Sequence, residues 1–417
     1  MEYIAVNSDK KEYDEFIKNH KYGQINQISS WANVKREWSS KRVLIKSGQE
    51  TVGGALLLFR KVPFFRLNLC YIPRGPVCDY DDPKTVRKVL KCIIEEARKH
   101  KAFTVKIDPC VEIEKKWVID ELKSMGFTHK GLEKGLVYSQ PRFLMITDID
   151  KSEDEVLNSF QSRTKTAVKK SLKTGLKCEK TDVSEIDEFD RLMQITGERD
   201  KFQERDGDYL KNLLISLGDD AQLYLTRLNV GEVKKNAEKE LSDIEKKTEK
   251  MCRNIEKDIP DEKKLNYKKE LDVLEKRKER QKELLSQMER YISEGKRQIN
   301  LSGAILTFCG RKSYYLYGAS SNEFRDLLPN YLMQWTMMKD SIKRGCTSYD
   351  FGGVTGYTNG EDGDGAKGLY EFKKRFGSEM FETIGEFDFV LNKFVDRAFD
   401  VALDLRKKMM KKHSQRG

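Results

Sequence analysis

Acyl transfer asks for a cation held where an oxyanion forms, and the segment GLYEFKKRFG, Gly368 to Gly377, offers one in a suggestive setting. It follows YDFGG at Tyr349 to Gly353, is bounded by glycines, and sets a lysine beside an aromatic residue. A lysine in a water-poor cleft can neutralise the charge that develops on an attacked carbonyl. On pattern alone a Phe-Lys-Lys-Arg-Phe run reads more readily as an amphipathic strand or helix with a solvated basic face, so the rest of the chain has to decide.

Other residues invite chemistry too. FQERDGDYL puts Arg205 and Tyr209 at i, i+4, aimed into one cleft if the segment is helical, and the arginine fork suits phosphate oxygens. The plainer reading pairs Arg205 with Glu204 or Asp206 at the surface. Asp108 ends a strand before Pro109, where it either takes a proton from an attacking ammonium or anchors a turn. Tyr315 and Tyr317, in YYLYGASS, alternate with their neighbours along a strand, so one same-face set meets the cleft, and Tyr317 is the candidate substrate contact. Asp350 reads as a turn cap. The loop GYTNGEDGDGAKG is rich in glycine, but its acidic residues would repel phosphate, and a mobile loop is the expectation.

What must position these residues is bounded by size and charge. A chain of 417 residues with 38% apolar content can bury two or more cores. A net charge of +11 favours an anionic partner: phosphate, nucleic acid or an acidic membrane surface. The eight cysteines are scattered with no C-x-x-C pair and only four histidines accompany them, which reads as reduced packing residues and argues against a disulfide or a metal site. The N-terminus lacks a basic stretch followed by an apolar core, and nothing approaches the roughly 18 apolar residues of a membrane span, so a cytoplasmic protein is expected.

Residues 230–300 are dominated by Lys and Glu. Ala237, Leu241, Ile244, Thr248, Met251 and Ile255 step by four and three, as do Leu271, Leu274, Lys278, Gln281, Leu285, Met288 and Ile292. Pro260 breaks the run and Asp261 can cap the second helix, giving an antiparallel coiled-coil hairpin with arms of roughly 40 Å. Apolar strands flank it, AQLYLTRL at Ala221 to Leu228 and SGAILTFCGRKSYYLYGASS at Ser302 to Ser321. Upstream, strands at Val52 to Pro63 and Leu67 to Val77 precede a helix at Pro83 to Lys101, a strand at Phe103 to Pro109 and a helix at Glu114 to Met125. The order recurs after the hairpin, with a helix from Leu327 to Arg344 and the strand TSYDFGG, which predicts two copies of one α/β unit with mixed sheets.

YIPRGPV at Tyr71 to Val77, KIDP at Lys106 to Pro109, LYGASS at Leu316 to Ser321, YDFGG and GLYEFKKRFG occur in the order of similar motifs in the Fem family of non-ribosomal aminoacyltransferases, which build peptidoglycan interpeptide bridges. The likeness spans nearly the whole chain, the helical insertion included. It implies an α/β protein of two acetyltransferase-like (GNAT-like) subdomains facing each other across a cleft. Residues 1–145 would form the first, 146–229 and 301–417 the second, and 230–300 the inserted hairpin.

The resemblance also implies a reaction and its residues. An amino acid, Gly, Ala or Ser, passes from aminoacyl-tRNA to the stem peptide of lipid II or UDP-MurNAc-pentapeptide, with the charged tRNA as co-substrate and neither metal nor further cofactor. Lys373 matches the lysine of the family's F-K-x-x-F-G element and is the catalytic candidate for the oxyanion, with Phe372 walling the acceptor site and Asp108 as candidate base. INQISSWANVKREW resembles an early W-x-x-x-K element in which Lys35, one helical turn past Trp31, contacts the precursor diphosphate; Arg205 would be its partner there, with Tyr209 nearby. Contact with the inner membrane surface and a homo- or hetero-dimer are compatible with this reading.

Two other classes compete. An acyl-CoA-dependent N-acyltransferase needs an R/Q-x-x-G-x-G/A turn for the pyrophosphate, and the chain has no good copy. A non-catalytic tRNA-binding protein would use a basic hairpin, yet residues 231–300 hold 20 Lys and Arg against 17 Asp and Glu, a balance of +3 out of +11, which puts most of the charge in the body.

Overall fold

The computed structural model describes residues 3–62, 66–256, 260–359, 361 and 363–402. Pro63, two positions of the acidic glycine loop (360 and 362) and the tail 403–417 of the expected second subdomain lie outside them.

Two mixed sheets carry the molecule. The first runs β1 (Tyr3–Val6), β2 (Ser39–Ser47), β3 (Glu50–Lys61), β4 (Asn68–Ile72), β6 (Ala102–Ile107), β15 (Phe387–Val390) and β7 (Thr128–His129), with β5 (Val77–Cys78) paired to β3. The second runs β14 (Glu379–Glu382), β8 (Phe143–Asp148), β13 (Ser348–Val354), β12 (Lys312–Ser320), β11 (Gln298–Cys309), β10 (Ala221–Asn229) and β9 (Leu176–Thr181). Each contains the same unit. An antiparallel pair, β3–β4 or β11–β12, is followed by a helix, Pro83–Lys99 or Pro329–Lys343, and a strand parallel to the second member, β6 or β13.

Local chemistry explains these elements. Asp82 caps the first crossover helix by accepting from the backbone of Lys84 and Thr85, Pro83 occupies the first turn, and Val86, Val89, Leu90, Ile93 and Ala97 form its buried stripe. The consecutive apolar residues Leu223 to Leu225 of β10 and Ala304 to Leu306 of β11 arise because the second sheet is covered on both faces. Leu223, Leu225 and Ile305 join the large core shared with the first sheet, whereas Tyr224, Ala304 and Leu306 join a separate core with Trp335, Met337 and Phe376.

β15 departs from the sequence reading. Residues 387–390, expected in the second subdomain, pair with β6 and β7 of the first sheet. Phe387 is buried in the first core, and Glu386 and Asp388 both pair with Lys106. A four-residue strand whose partners lie some 280 positions upstream leaves no local signal.

The insertion is an antiparallel helical hairpin of Val230–Ile255 and Asp261–Ser293. Ion pairs Lys234–Glu289, Arg277–Glu240 and Lys278–Glu245, at 3.3, 2.7 and 3.3 Å, set the antiparallel register. Ala237, Ile244, Leu274 and Met288 are buried along the seam. Three expectations need correcting. Pro260, with no side-chain bond, occupies the cap position, and Asp261 is the first helical residue. Ile292 is 48% exposed while Tyr291 takes the seam position, because its hydroxyl reaches Glu323 and its ring meets Phe324 at the hairpin base. Cys252, read as a packing residue, is exposed on the first arm. No helix among the described residues is long and apolar enough to cross a membrane.

Candidate active site

Lys35 stands where a short helix, Trp31–Val34, ends. The loop before it is locked by buried polar bonds. Gln27 donates to the Pro73 carbonyl and accepts from the Leu56 amide, and Asp14 accepts from both the amide and hydroxyl of Ser29. A helix from the other half, Gly207–Leu217, is stapled to this turn through Asn212, which accepts from Arg36 at 2.7 Å and donates to the Asn33 carbonyl at 3.1 Å. The staple brings Tyr209 to Lys35, whose ammonium lies 3.3 Å from the Tyr209 hydroxyl and 5.3 Å from its ring centre, with Trp31 at 5.7 Å.

Arg205 joins the same ring at 5.1 Å, and Tyr317 meets it edge-on with centroids 6.3 Å apart. The reason differs from the expected one: Arg205 is not helical but precedes Asp206, which caps the helix by accepting from the Tyr209 amide. Neither Lys35 nor Arg205 has an ion-pair partner among the described residues. Burial pushes the Lys35 pKa down, the Arg205 charge pushes the same way, and Tyr317 opposes. Both cations line one cleft of about 450 Å³ with Trp38, Arg60 and Asn212, and Glu37 and Asp208 also border it. Two adjacent cations without an ion-pair partner among the described residues, set against aromatic rings, are chemistry suited to an anion.

The two tyrosines of β12 do not obey strict alternation. The β11–β12 register slips, so that Ile305 faces Tyr317 while Leu306 faces Tyr315, leaving Leu316 as a bulge. Tyr315 therefore turns into the second core against Phe351, and its hydroxyl occupies the space that a Cβ on Gly318 would need. Tyr317 alone reaches the Lys35 cleft.

Lys373 lies on the helix Asp364–Lys374 and is buried, with 5% of its surface exposed. Its ammonium donates to the Gly353 carbonyl at 2.7 Å. Burial lowers its pKa to about 8, with the Asp350 carboxylate opposing the fall. YDFGG supplies this geometry. Asp350 accepts from the Gly352 amide at 2.6 Å, as a turn cap should, Gly352 sits at φ +77°, and a side chain at Gly353 would collide with Pro141. Phe372 packs edge-on against Tyr331 and Phe376 at the margin of the second core.

Asp108 is buried at the end of β6. Its two oxygens accept from the Tyr71 hydroxyl and the Arg74 amide, each at 2.6 Å, and burial raises its pKa to about 6. It therefore anchors the YIPRG turn while remaining able to take a proton near neutral pH. Arg74, which sequence reasoning did not single out, is the hub between the motifs. Its backbone has φ +55°, its guanidinium donates to the Pro141 carbonyl, and its charge acts on both the Asp108 and Asp350 carboxylates. An arginine before a glycine carries no signal that would have marked it. The cation and aromatic cluster of Lys35, Arg205, Tyr209 and Tyr317 and the buried cluster of Lys373, Asp350, Arg74 and Asp108 are two separate groupings.

Comparison with known proteins follows the same lines. The chain matches the FemAB family over residues 9–402. It is 41% identical over 390 residues to the lipid II:glycine glycyltransferase of Staphylococcus aureus strain MSSA476, covering 92% of this chain and 91% of that one. With the strain USA300 protein the identity is 41% over 405 residues at the same coverage. Among solved structures, FemX aligns with a TM-score of 0.79 and 39% identity, across 95% of this chain and 99% of the other.

Proposed function

The chain belongs to the FemAB family, and from that premise we propose that it is a transferase of peptidoglycan bridge synthesis, moving glycine from a charged tRNA to an amine of the lipid II stem peptide. The observation that carries this reading is the pair of unneutralised cations, Lys35 and Arg205, against Tyr209 in an open cleft, a match for the diphosphate of such a precursor. Lipid II and glycine are the substrates in the relatives' names; an ester of tRNA is a donor already activated for attack by an amine. A lipid-linked acceptor would bring a protein of charge +11 to the anionic inner face of the membrane.

In this mechanism the diphosphate is gripped by Lys35 and Arg205, and the stem-peptide amine attacks the glycyl ester carbon. The new C–N bond forms, negative charge collects on the carbonyl oxygen, and the ester C–O bond to the ribose then breaks. Lys373 stabilises the oxyanion. One of its three N–H donors is committed to Gly353, which fixes the ammonium and leaves two for substrate. Asp108 takes the proton shed by the attacking nitrogen and returns it to the leaving ribose oxygen. Phe372 keeps water from the ester.

The test is direct. Purified protein, lipid II and a mixture of charged tRNAs, analysed by mass spectrometry, should give lipid II extended by glycine. Extension from acetyl-CoA instead, or tRNA binding without any extension, would replace this reading with one of the two competing classes.

A further inference from the structure

Helix Ser162–Ser171, the turn after it and the start of β9 carry Arg163, Lys165, Lys169, Lys170, Lys173 and Lys177, and no acidic residue stands between Glu155 and Glu179. This stretch alone contributes +6 of the net +11, twice what the hairpin supplies. Its apolar side is spent on packing, since Thr164, Val168 and Ser171 are buried. Arg163, Lys169, Lys170 and Lys173 are exposed, and among the described residues none of the four has a carboxylate partner; Lys177 pairs with Glu232 at 3.4 Å. Surface lysines are normally interspersed with acids, so a basic face without them is the footprint expected of an anionic partner.

The placement of this face narrows the occupant. At one end the Gln161 amide donates to the Arg375 carbonyl and the Phe160 ring meets Phe376, so the helix starts on the residues that close the Lys373 helix. At the other end Lys170 and Lys173 line a cleft of about 900 Å³ with Arg277 and Arg280 of the hairpin, where Glu240, Glu283 and Asp326 also stand and Arg277 pairs with Glu240. We propose that this face is the docking surface for the phosphate backbone of an RNA acceptor arm, running from the hairpin base along the helix with its 3′ end directed to Lys373. The inference rests on the transfer reading above. Arg163 to Lys173 spans ten residues, about 15 Å, enough for roughly four phosphates of one strand at 3.4 Å each. A line of exposed cations running from a concave cleft at one end to the Lys373 helix at the other suits a rod with a reactive terminus better than it suits a flat anionic membrane.

The experiment uses the full chain with Lys169→Glu, Lys170→Glu and Lys173→Glu together, all at exposed positions, with circular dichroism to verify folding. The probe is an uncharged RNA hairpin copying a tRNA acceptor arm, bound in a fluorescence anisotropy series from about 50 to 200 mM salt. The triple variant should bind at least about tenfold more weakly at low salt, with a salt slope smaller by about 2 to 3, and its KM for glycyl-tRNA should rise. A control with the same charge change at exposed Lys10, Lys11 and Lys91 should bind like wild type. Equal RNA affinity in the triple variant, or an equal loss in the control, overturns the proposal, as does a variant that keeps RNA affinity and loses binding to phosphatidylglycerol vesicles. If RNA binding depends on this face while wild type transfers nothing from charged tRNA, the transfer reading fails and the surface stands.

Discussion

Lys373 and Asp108 are held against the preference of their charges, and their titration gives the site a pH signature. Lys373 must be protonated to face an oxyanion and loses its proton above about 8, while Asp108 must be ionised to act as base and gains a proton below about 6. Transfer should therefore follow a bell in kcat/KM with limbs near these values, and Asp108→Asn should remove the acid limb. A flat profile from about pH 5 to 9 would end both assignments. Stability gives a second readout for the lysine. Its folded pKa of about 8 lies below the unfolded 10.5, so between the two the unfolded chain holds more protons and the wild type gains stability as pH rises through that window. Below it the buried charge costs on the order of 3 kcal/mol, partly offset by the bond to Gly353. Lys373→Met should lower turnover by roughly two to three orders of magnitude, yet its stability relative to wild type, measured by urea unfolding, should be higher at pH 7 than at pH 10.5. Retained turnover would show that the lysine only packs. In the proposed reaction Lys35 and Arg205 belong to binding instead. Lys35→Ala or Arg205→Ala should each raise the precursor KM about tenfold or more with kcat little changed, and calorimetry showing unaltered precursor affinity in both would remove the diphosphate grip.

At the scale of elements, residue pattern was readable wherever a segment's periodicity was set by its own packing. The hairpin arms, the crossover helices and β3, β4, β6, β10 to β13 all answer to local signals of this kind. Legibility stopped where a distant partner decided the conformation. The β12 bulge comes from pairing with β11 and reverses the face of Tyr315; the four-residue helix before Lys35 owes its orientation to Gln27, Asp14 and Asn212. Arg205 reached Tyr209 without the helix that the spacing assumed, because a capped helix start aims the preceding residue back over its own first turn. The hairpin itself leaves the body between Asn229 and Gln298, which are register partners at the end of β10 and β11. Replacing residues 231–296 by a short Gly-Ser turn should thus leave a folded body. It should be less stable, since Val233, Met288 and Tyr291 no longer cover Leu228, Leu301 and Leu327, and a buried side chain of this size contributes about 1.5 to 3 kcal/mol. Loss of Arg277 and Arg280 should also raise the KM for charged tRNA while the precursor KM stays put; an unchanged tRNA KM across a salt series would leave the arm a role outside tRNA docking.

The whole molecule couples its two sheets more tightly than a division at residue 145 suggests. Their facing surfaces share one core, in which Ile28, Trp31 and Leu44 pack in the same cluster as Phe189, Leu213, Leu225 and Ile305. Polar ties cross the junction as well. Lys18 pairs with Asp220 at 2.7 Å, and the half-buried Lys312 donates through its ammonium to the carbonyls of Lys21 and Gly23. β15 then returns from the far end of the chain to fill the gap between β6 and β7, bringing Glu386 and Asp388 to Lys106. A fragment of residues 1–145 would lack that strand, leave Lys106 half-buried without its carboxylates, and expose the Leu213 side of the shared core; removing the partners of a buried charge costs several kcal/mol, a large share of a small domain's stability. The fragment should be unfolded in isolation, and the intact body should melt in one calorimetric transition whose van't Hoff and calorimetric enthalpies agree. Two separated transitions, or a folded 1–145 fragment, would mean that the halves are independent and that the cleft between Lys35 and Tyr209 is a hinge. A single transition means the opposite: the proposed precursor grip, with Lys35 from one half and Tyr209 from the other, is built across one cooperative unit.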